Sequence, residues 1–284
     1  MKRLTFLLAL LIISQTLAIN ELVVKVPNVY TSKPGYIDQA TLVIQPYGGY
    51  AEQSLYLEYS DHNQFTAGQQ VEIIHRFELP QGSTVNDLWL WIGDNVMKAI
   101  VIDTWKARKI YDSIVSMKRD PAFLTKSGNQ YELHIYPLTP GSIRKIKMNF
   151  ITPTQSILGE ILAELPLGML NSSNNTIQPL TILYRTTQDI WGVPHLKEFP
   201  SAVFTDVTDT LGYHYRQYKV ANIKTLSTFR FAYNFSMSQS AYFSSSENDS
   251  SQRYFQLMVS AKDALGIAVD SSAKKVMFGL DLSG

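Results

Sequence analysis

Two oxygen-bearing side chains at the end of the sequence have a type and spacing suited to metal chemistry. Asp281 and Ser283 stand two residues apart, directly after the apolar run at residues 276–280. An uninterrupted apolar run is typical of a strand buried on both faces of a parallel sheet, and ligands bind beyond the carboxyl ends of such strands. Carboxylate and hydroxyl oxygens are hard ligands suited to Mg²⁺. The pair is therefore a candidate metal site, although an incomplete one.

Other reactive residue types do not form a known catalytic pattern. The sequence contains no Gly-x-Ser-x-Gly, no His-Glu-x-x-His, no phosphate loop and no cysteine. Asp206 and Asp209 could bind Ca²⁺ in a loop, but this pair lacks the further oxygens that the ion needs. His75 and His134 lie inside predicted strands, where we expect hydrogen-bonded structural roles. Paired carboxylates could hydrolyse glycosides, but sequence spacing does not give their separation.

A predicted sheet with one helix occupies residues 71–152. Alternation of apolar and polar residues predicts the strands, and a glycine-containing turn at residues 93–95 predicts a hairpin. The apolar period then changes to that of an amphipathic helix, which starts after Asp103 or Thr104 and ends before Pro121. This helix needs a sheet to bury its apolar stripe. The predicted strands are residues 71–78, 85–92, 96–102, 131–136 and 143–150.

Five motifs in this stretch follow the order found in a known family. They are Phe77-Glu78-Leu79-Pro80-x-Gly82, Trp91-Ile92-Gly93, Ala107-Arg108 with Tyr111, Arg119-Asp120-Pro121-Ala122, and Pro137-Leu138-x-Pro140-Gly141 with Arg144. Over residues 36–153 the sequence resembles the VIT domain, named for vault protein and inter-alpha-trypsin inhibitor heavy chain. The resemblance implies a β-sandwich-like domain with one helix.

The end of the chain resembles the opening of a von Willebrand factor A domain, whose metal motif is Asp-x-Ser-x-Ser. Taken alone, an apolar strand followed by Asp-x-Ser-Gly is more often a plain turn. VIT and von Willebrand factor A domains occur together, however, so the resemblance implies a chain cut inside the motif. It also implies that this fragment binds no cofactor, that Mg²⁺ binds the full-length protein, and that a protein or matrix partner binds through the missing domain.

The first residues predict export. Lys2 and Arg3, an apolar core at residues 4–13 and small residues before position 19 are typical of a secretory signal peptide. The apolar core is too short for the roughly 20 residues of a spanning helix, and no later segment could span a membrane. Because cysteine is absent, a disulfide scaffold is excluded. The net charge of +1 argues against a nucleic-acid partner. We expect a periplasmic, cell-surface or extracellular protein.

The remaining sequence predicts further strands separated by polar loops. N-terminal strands are expected at residues 21–26, 40–45 and 54–59, and later strands at residues 157–165, 181–187, 213–220, 228–235 and 254–260. The predicted domains are a signal peptide (1–18), N-terminal strands with the VIT domain (19–153), a β-rich connector (154–273) and the start of a von Willebrand factor A domain (274–284). The fold class is therefore mainly β, ending in the first strand of an α/β domain.

Two functions remain open from the sequence. The first is a secreted or envelope interaction protein that is not an enzyme, in which the VIT domain is a structural platform for a metal-dependent ligand-binding domain. The second is an exported carbohydrate-active enzyme or carbohydrate-binding β-sandwich protein. The residues that continue the reading frame beyond Gly284 would distinguish the two.

Overall fold

The computed structural model describes residues 20–99, 122–157, 160–186, 191–235, 241–247 and 253–259. Within these ranges the protein is mainly β, as predicted. Three predicted features fall on other residues and stay predictions. They are the signal peptide at residues 1–18, the amphipathic helix that ends before Pro121, and the strand at residues 276–280 with Asp281 and Ser283.

Eighteen strands and one helix are present in these described ranges. The first strands are β1 (Glu21–Lys25), β2 (Ser32–Pro34), β3 (Tyr36–Pro46), β4 (Tyr50–Ser60), β5 (Val71–Glu78), β6 (Thr84–Ile92) and β7 (Asn95–Lys98). They are followed by β8 (Ala122–Ser127), β9 (Gln130–Leu138), β10 (Arg144–Ile157), β11 (Glu160–Glu164), the helix α1 (Leu167–Asn171) and β12 (Leu180–Tyr184). The last strands are β13 (Trp191–Leu196), β14 (Thr205–Thr208), β15 (His214–Val220), β16 (Arg230–Phe235), β17 (Ala241–Glu247) and β18 (Arg253–Val259).

Two large sheets contain most of these strands. Five strands form an antiparallel sheet in the order β2-β1-β5-β9-β8. Eleven strands form the second sheet, in the order β13-β16-β11-β10-β4-β3-β12-β15-β14, with β6 paired to β10 and β7 paired to β6. β17 and β18 form a separate hairpin, and Gln256 joins it to the β3–β4 turn by accepting a hydrogen bond from the Gly49 amide at 3.2 Å.

β3 joins early and late parts of the sequence within the eleven-stranded sheet. One edge of β3 pairs antiparallel with β4, and the other edge pairs parallel with β12, where Ala40 lies opposite Leu180. The domain boundary predicted after residue 153 lies inside β10, so the division into domains stays a prediction. The sheet also curls, and Phe231 of β16 packs on Tyr184 of β12 with ring centroids 5.2 Å apart.

A single hydrophobic core contains residues of both sheets. In β4, Leu55, Leu57 and Tyr59 are at most 1% exposed, whereas Tyr56 points to the opposite face and is 37% exposed. The strand predicted at residues 54–59 is therefore confirmed, and its side chains alternate between a buried and an exposed face. Burial of each such apolar side chain stabilises the fold by about 1.5–3 kcal/mol.

The predicted hairpin at residues 93–95 is confirmed, because β6 and β7 pair and Gly93 has a φ of 59°. Strands β2, β8, β13, β14 and β17 were not predicted. β2 has three residues and lies at a sheet edge. β13 contains Gly192 and Pro194, and its register with β16 shifts between Trp191 and Pro194. Such residues weaken the local strand pattern, so β13 has little signal in the sequence.

Candidate functional site

The predicted metal site falls outside the residues that the structure describes. Asp281 and Ser283 lie outside the described residues, and those that are described include no cluster of three or more His, Asp or Glu side chains that could hold an ion. Asp206 pairs with Arg216 at 3.5 Å. Asp209 accepts hydrogen bonds from the backbone amides of Leu211 and Tyr213, each at 2.9 Å. These aspartates therefore have protein partners for their carboxylates.

A buried chain of hydrogen bonds connects β4, β5 and α1. The Tyr59 hydroxyl lies 2.8 Å from His75 Nδ1, and His75 Nε2 lies 2.7 Å from Ser172 Oγ. Burial lowers the pKa of His75 to about 3, so the ring is neutral at pH 7. Ser172 Oγ in turn donates to the Met169 carbonyl at 2.6 Å.

The directions of these hydrogen bonds show whether Ser172 could act as a nucleophile. Because the Met169 carbonyl can only accept, Ser172 donates to it and accepts from His75, so the neutral ring carries its hydrogen on Nε2 and accepts from Tyr59 at Nδ1. The hydroxyl hydrogen of Ser172 then points to Met169, away from the ring. The arrangement holds both sheets and α1 together, which is the structural role predicted for His75, and it does not activate Ser172 as a nucleophile.

A charged network covers part of the outer face of the five-stranded sheet. His134 lies between two carboxylates, with Nδ1 2.8 Å from Glu72 and Nε2 2.6 Å from Glu132. Glu132 also accepts from Arg76 at 2.6 Å, and Arg76 reaches Glu21 at 3.0 Å. Hydrogen bonds from His134 and Arg76 lower the pKa of Glu132 to about 2. Burial opposes the charging of His134, but its hydrogen bonds to the two glutamates outweigh that effect and raise its pKa.

Aromatic and basic side chains share the outer face of the eleven-stranded sheet, and we call Tyr56, Trp89, Trp91 and Lys147 the aromatic face. Because Leu88 and Leu90 are buried, the pleat of β6 turns Trp89 and Trp91 outward. Lys147 of β10 lies directly between Trp89 of β6 and Tyr56 of β4 in the strand register. Three neighbouring strands therefore supply one continuous row of side chains.

Lysine ammonium groups lie over two of these rings. Lys147 Nζ is 4.3 Å from the Trp89 ring centroid and 5.5 Å from that of Tyr56. Lys98 of β7 approaches Trp89 at 4.5 Å. Such cation–π contacts contribute about 0.5–1 kcal/mol each at exposed sites. They fix the orientation of Trp89 and Tyr56.

A shallow depression of about 210 Å³ opens beside the aromatic face. Trp91 and Tyr56 contribute two of its walls, with ring centroids 6.4 Å apart and ring planes at 47°. The polar lining includes Gln39, Thr41 and the ion pair between Glu58 and Lys145, whose oxygen and nitrogen are 2.8 Å apart. The alternation of residues 85–92 predicts both tryptophans opposite Leu88 and Leu90, but it does not indicate which strands lie beside them.

A match to a known domain family covers the strands that form the aromatic face. Residues 42–150 match the Vault protein inter-alpha-trypsin domain. This VIT match begins within β3 and ends within β10, so it includes Tyr56, Trp89, Trp91 and Lys147. It ends well before residue 274, and the von Willebrand factor A domain predicted there therefore stays a prediction. Among curated proteins, none matches the chain.

Several solved structures resemble the fold at low identity. Aminopeptidase A of Legionella pneumophila, in complex with aspartic acid, has a TM-score of 0.43 and 13% identity over 83% of this chain and 25% of that chain. An M1 zinc metallopeptidase of Deinococcus radiodurans has a TM-score of 0.41 and 10% identity over 79% of this chain and 47% of that chain. The VIT-containing chain thus spans 25% and 47% of these two peptidases. Similarities this low carry no conclusion about activity.

Proposed function

We propose that the chain is a secreted or envelope interaction protein that is not an enzyme. In this proposal the VIT region is a rigid platform for a metal-dependent domain that includes Asp281 and Ser283. The observation that carries the platform role is the pairing of β3, in which the VIT match begins, with both β4 and β12. Strands of the VIT region and strands that follow it therefore form one hydrogen-bonded sheet.

Side-chain packing supports a rigid join at this place. Leu42 and Ile44 of β3 and Ile182 and Tyr184 of β12 are all at most 1% exposed. Neighbouring strands with buried side chains can move apart only by exposing this apolar surface to water, which is unfavourable.

The loop after α1 binds the N-terminal end of β3 by hydrogen bonds. Ser173 Oγ accepts a hydrogen bond from the Ile37 amide at 2.7 Å, and Asn175 Nδ2 donates to the Ile37 carbonyl at 3.1 Å. Hydrogen bonds of this kind contribute about 0.5–1.5 kcal/mol each. β3 is thus held at both ends by residues that follow the VIT match, as a platform requires.

The proposed metal is Mg²⁺, and the donor types fit it. Asp281 and Ser283 offer a carboxylate and a hydroxyl, but two side chains do not complete an octahedral shell. Residues beyond Gly284 would provide the other protein ligands, and an acidic group of a protein or matrix partner would complete the site. Export is proposed from the signal sequence at residues 1–18. In the described part of the chain no helix has the length and apolar character needed to cross a membrane.

Titration calorimetry tests the proposal. The 284-residue chain should give no heat with MgCl₂, whereas a chain that continues the reading frame should bind Mg²⁺ and lose that binding on Asp281→Ala. Asp206→Ala in the longer chain is the matched control, since Asp206 already pairs with Arg216, and it should leave binding unchanged. If the longer chain binds no Mg²⁺, the metal-dependent function is refuted. Micromolar Mg²⁺ binding by the 284-residue chain would contradict the view that Asp281 and Ser283 need ligands from beyond Gly284.

A further inference from the structure

We propose that the depression between Trp91 and Tyr56 is a binding subsite for one uncharged pyranose ring of an oligosaccharide. The site is formed by β3, β4, β6 and β10, so it does not depend on residues beyond Gly284 or on a metal. The sugar-binding proposal adds a ligand class to the platform role, and either proposal can be refuted without refuting the other.

The aromatic walls fit the apolar side of a sugar. A pyranose presents a flat face of C–H groups, which packs by dispersion against the negative face of an aromatic ring. Trp91 is half-buried and Tyr56 is 37% exposed, so both rings are held by the sheet and remain open to a ligand. The volume of about 210 Å³ is below the roughly 300–1,000 Å³ of pockets for drug-sized ligands. It suits one sugar ring, with the rest of the oligosaccharide lying along the sheet.

The polar lining fits the hydroxyl groups of the same ring. A hydroxyl both donates and accepts hydrogen bonds, so a sugar site needs both kinds of partner. Glu58 accepts, Lys145 donates, and the amide of Gln39 and the hydroxyl of Thr41 can do both. A bulge at Asp38 shifts the register of β3 so that Gln39 lies directly opposite Glu58. Bulges commonly re-aim side chains next to binding sites.

The charge of the lining selects an uncharged sugar. Its charged members are Glu58 and Lys145, which pair with each other at 2.8 Å, so the charges of the lining sum to zero. A carboxylated or phosphorylated ligand would place a second negative charge beside Glu58 and compete with that carboxylate for Lys145. An uncharged hydroxyl can bind beside the pair and leave it intact.

The carboxylates that line the depression indicate that a sugar binds there without being hydrolysed. Glycoside hydrolysis generally uses two carboxyl groups on either side of the scissile bond. The lining of this depression contains one carboxylate, Glu58, and that group is held by Lys145. The sugar therefore binds at this subsite without being cleaved there.

Fluorescence and calorimetric titrations of the 284-residue chain test the proposal with three uncharged probes, cellohexaose, xylohexaose and maltohexaose, and one acidic probe, hexagalacturonate. At least one uncharged hexasaccharide should bind, and hexagalacturonate should bind more weakly. Trp91→Ala should weaken binding at least tenfold, and Trp91→Phe should weaken it less.

Two further variants separate a binding role from a structural one. Glu58→Gln keeps the size of the side chain but removes its charge, and it should weaken binding while thermal unfolding stays cooperative. Tyr213→Ala removes another exposed aromatic ring, one stacked on Arg185 and outside the depression, and should leave affinity within twofold. The proposal is overturned if no uncharged probe binds, if only the acidic probe binds, or if Trp91→Ala and Tyr213→Ala affect affinity equally.

Discussion

Acidification should destabilise the protein through His75, whose ring is fully buried and neutral. The pKa of His75 is about 3 in the folded chain, against 6.5 for an unperturbed histidine. As the pH falls, the unfolded chain therefore takes up a proton at this position and the folded chain does not. The stabilising contribution is fully present above about pH 6.5 and is lost as the pH falls towards 3.

The size of the effect follows from these two pKa values. Between pH 7.5 and pH 5 the proton taken up by the unfolded state lowers the free energy of unfolding by about 2 kcal/mol. His75→Gln removes the titrating group but keeps a donor and an acceptor. The variant should be less stable at pH 7.5, because the hydrogen bonds to Tyr59 and Ser172 are lost or distorted. Its stability should nevertheless depend less on pH, by about 2 kcal/mol over this interval.

Urea unfolding at pH 7.5 and pH 5 measures this difference directly. The matched control is His214→Gln, which makes the same change at an exposed histidine in β15. Other groups titrate over the same interval, so the informative quantity is the difference between each variant and the unsubstituted chain. If His75→Gln and the unsubstituted chain lost equal stability on acidification, the buried neutral histidine would not be the cause.

Two other predictions concern different parts of the chain. The hydrogen bonds of His134 to Glu132 and Glu72 raise its pKa, so its contribution to stability is present below about pH 6.5 and is lost as the pH rises through its folded pKa. Glu132→Gln should lower that pKa in an NMR titration of the ring, and an unchanged value would contradict the role of Glu132. If residues 1–18 are a signal peptide, as predicted, the mature chain begins at Ile19. N-terminal sequencing of exported protein checks this, and recovery of an intact Met1 would contradict it.

Local alternation explains which parts of the fold could be predicted. Side chains alternate between the two faces of a strand, so the sequence of β4 predicted its buried residues, such as Leu55 and Leu57. In β5 alternation is not sufficient, because Glu72 and Ile74 on the other face are buried as well. Strand pairing is different, because it depends on partners that are distant in the sequence. Nothing near Ala40 indicates that Leu180 lies beside it. The short strands β2 and β14 lie at sheet edges and have too few residues for a clear alternation.

The same limit applies to the candidate site. The alternation of β6 placed Trp91 on the face opposite Leu90, but Tyr56 and Lys145 reach the depression through the pairing of β10 with β4 and β6. The register shift that positions Gln39 is likewise a property of paired strands. The metal residues were proposed from a motif, and the described structure adds no ligands to them.

The pairing of β3 with β12 also determines where the chain can be shortened without loss of solubility. A chain limited to the VIT match would lack residues 180–184, so one side of β3 would carry backbone amides and carbonyls without partners. An open strand edge of this kind is a template for edge-to-edge association between copies and for aggregation. β12 therefore covers this side of β3, and β15 in turn covers β12. A shortened chain that retains residues 180–220 should stay dispersed where one that ends at residue 150 does not.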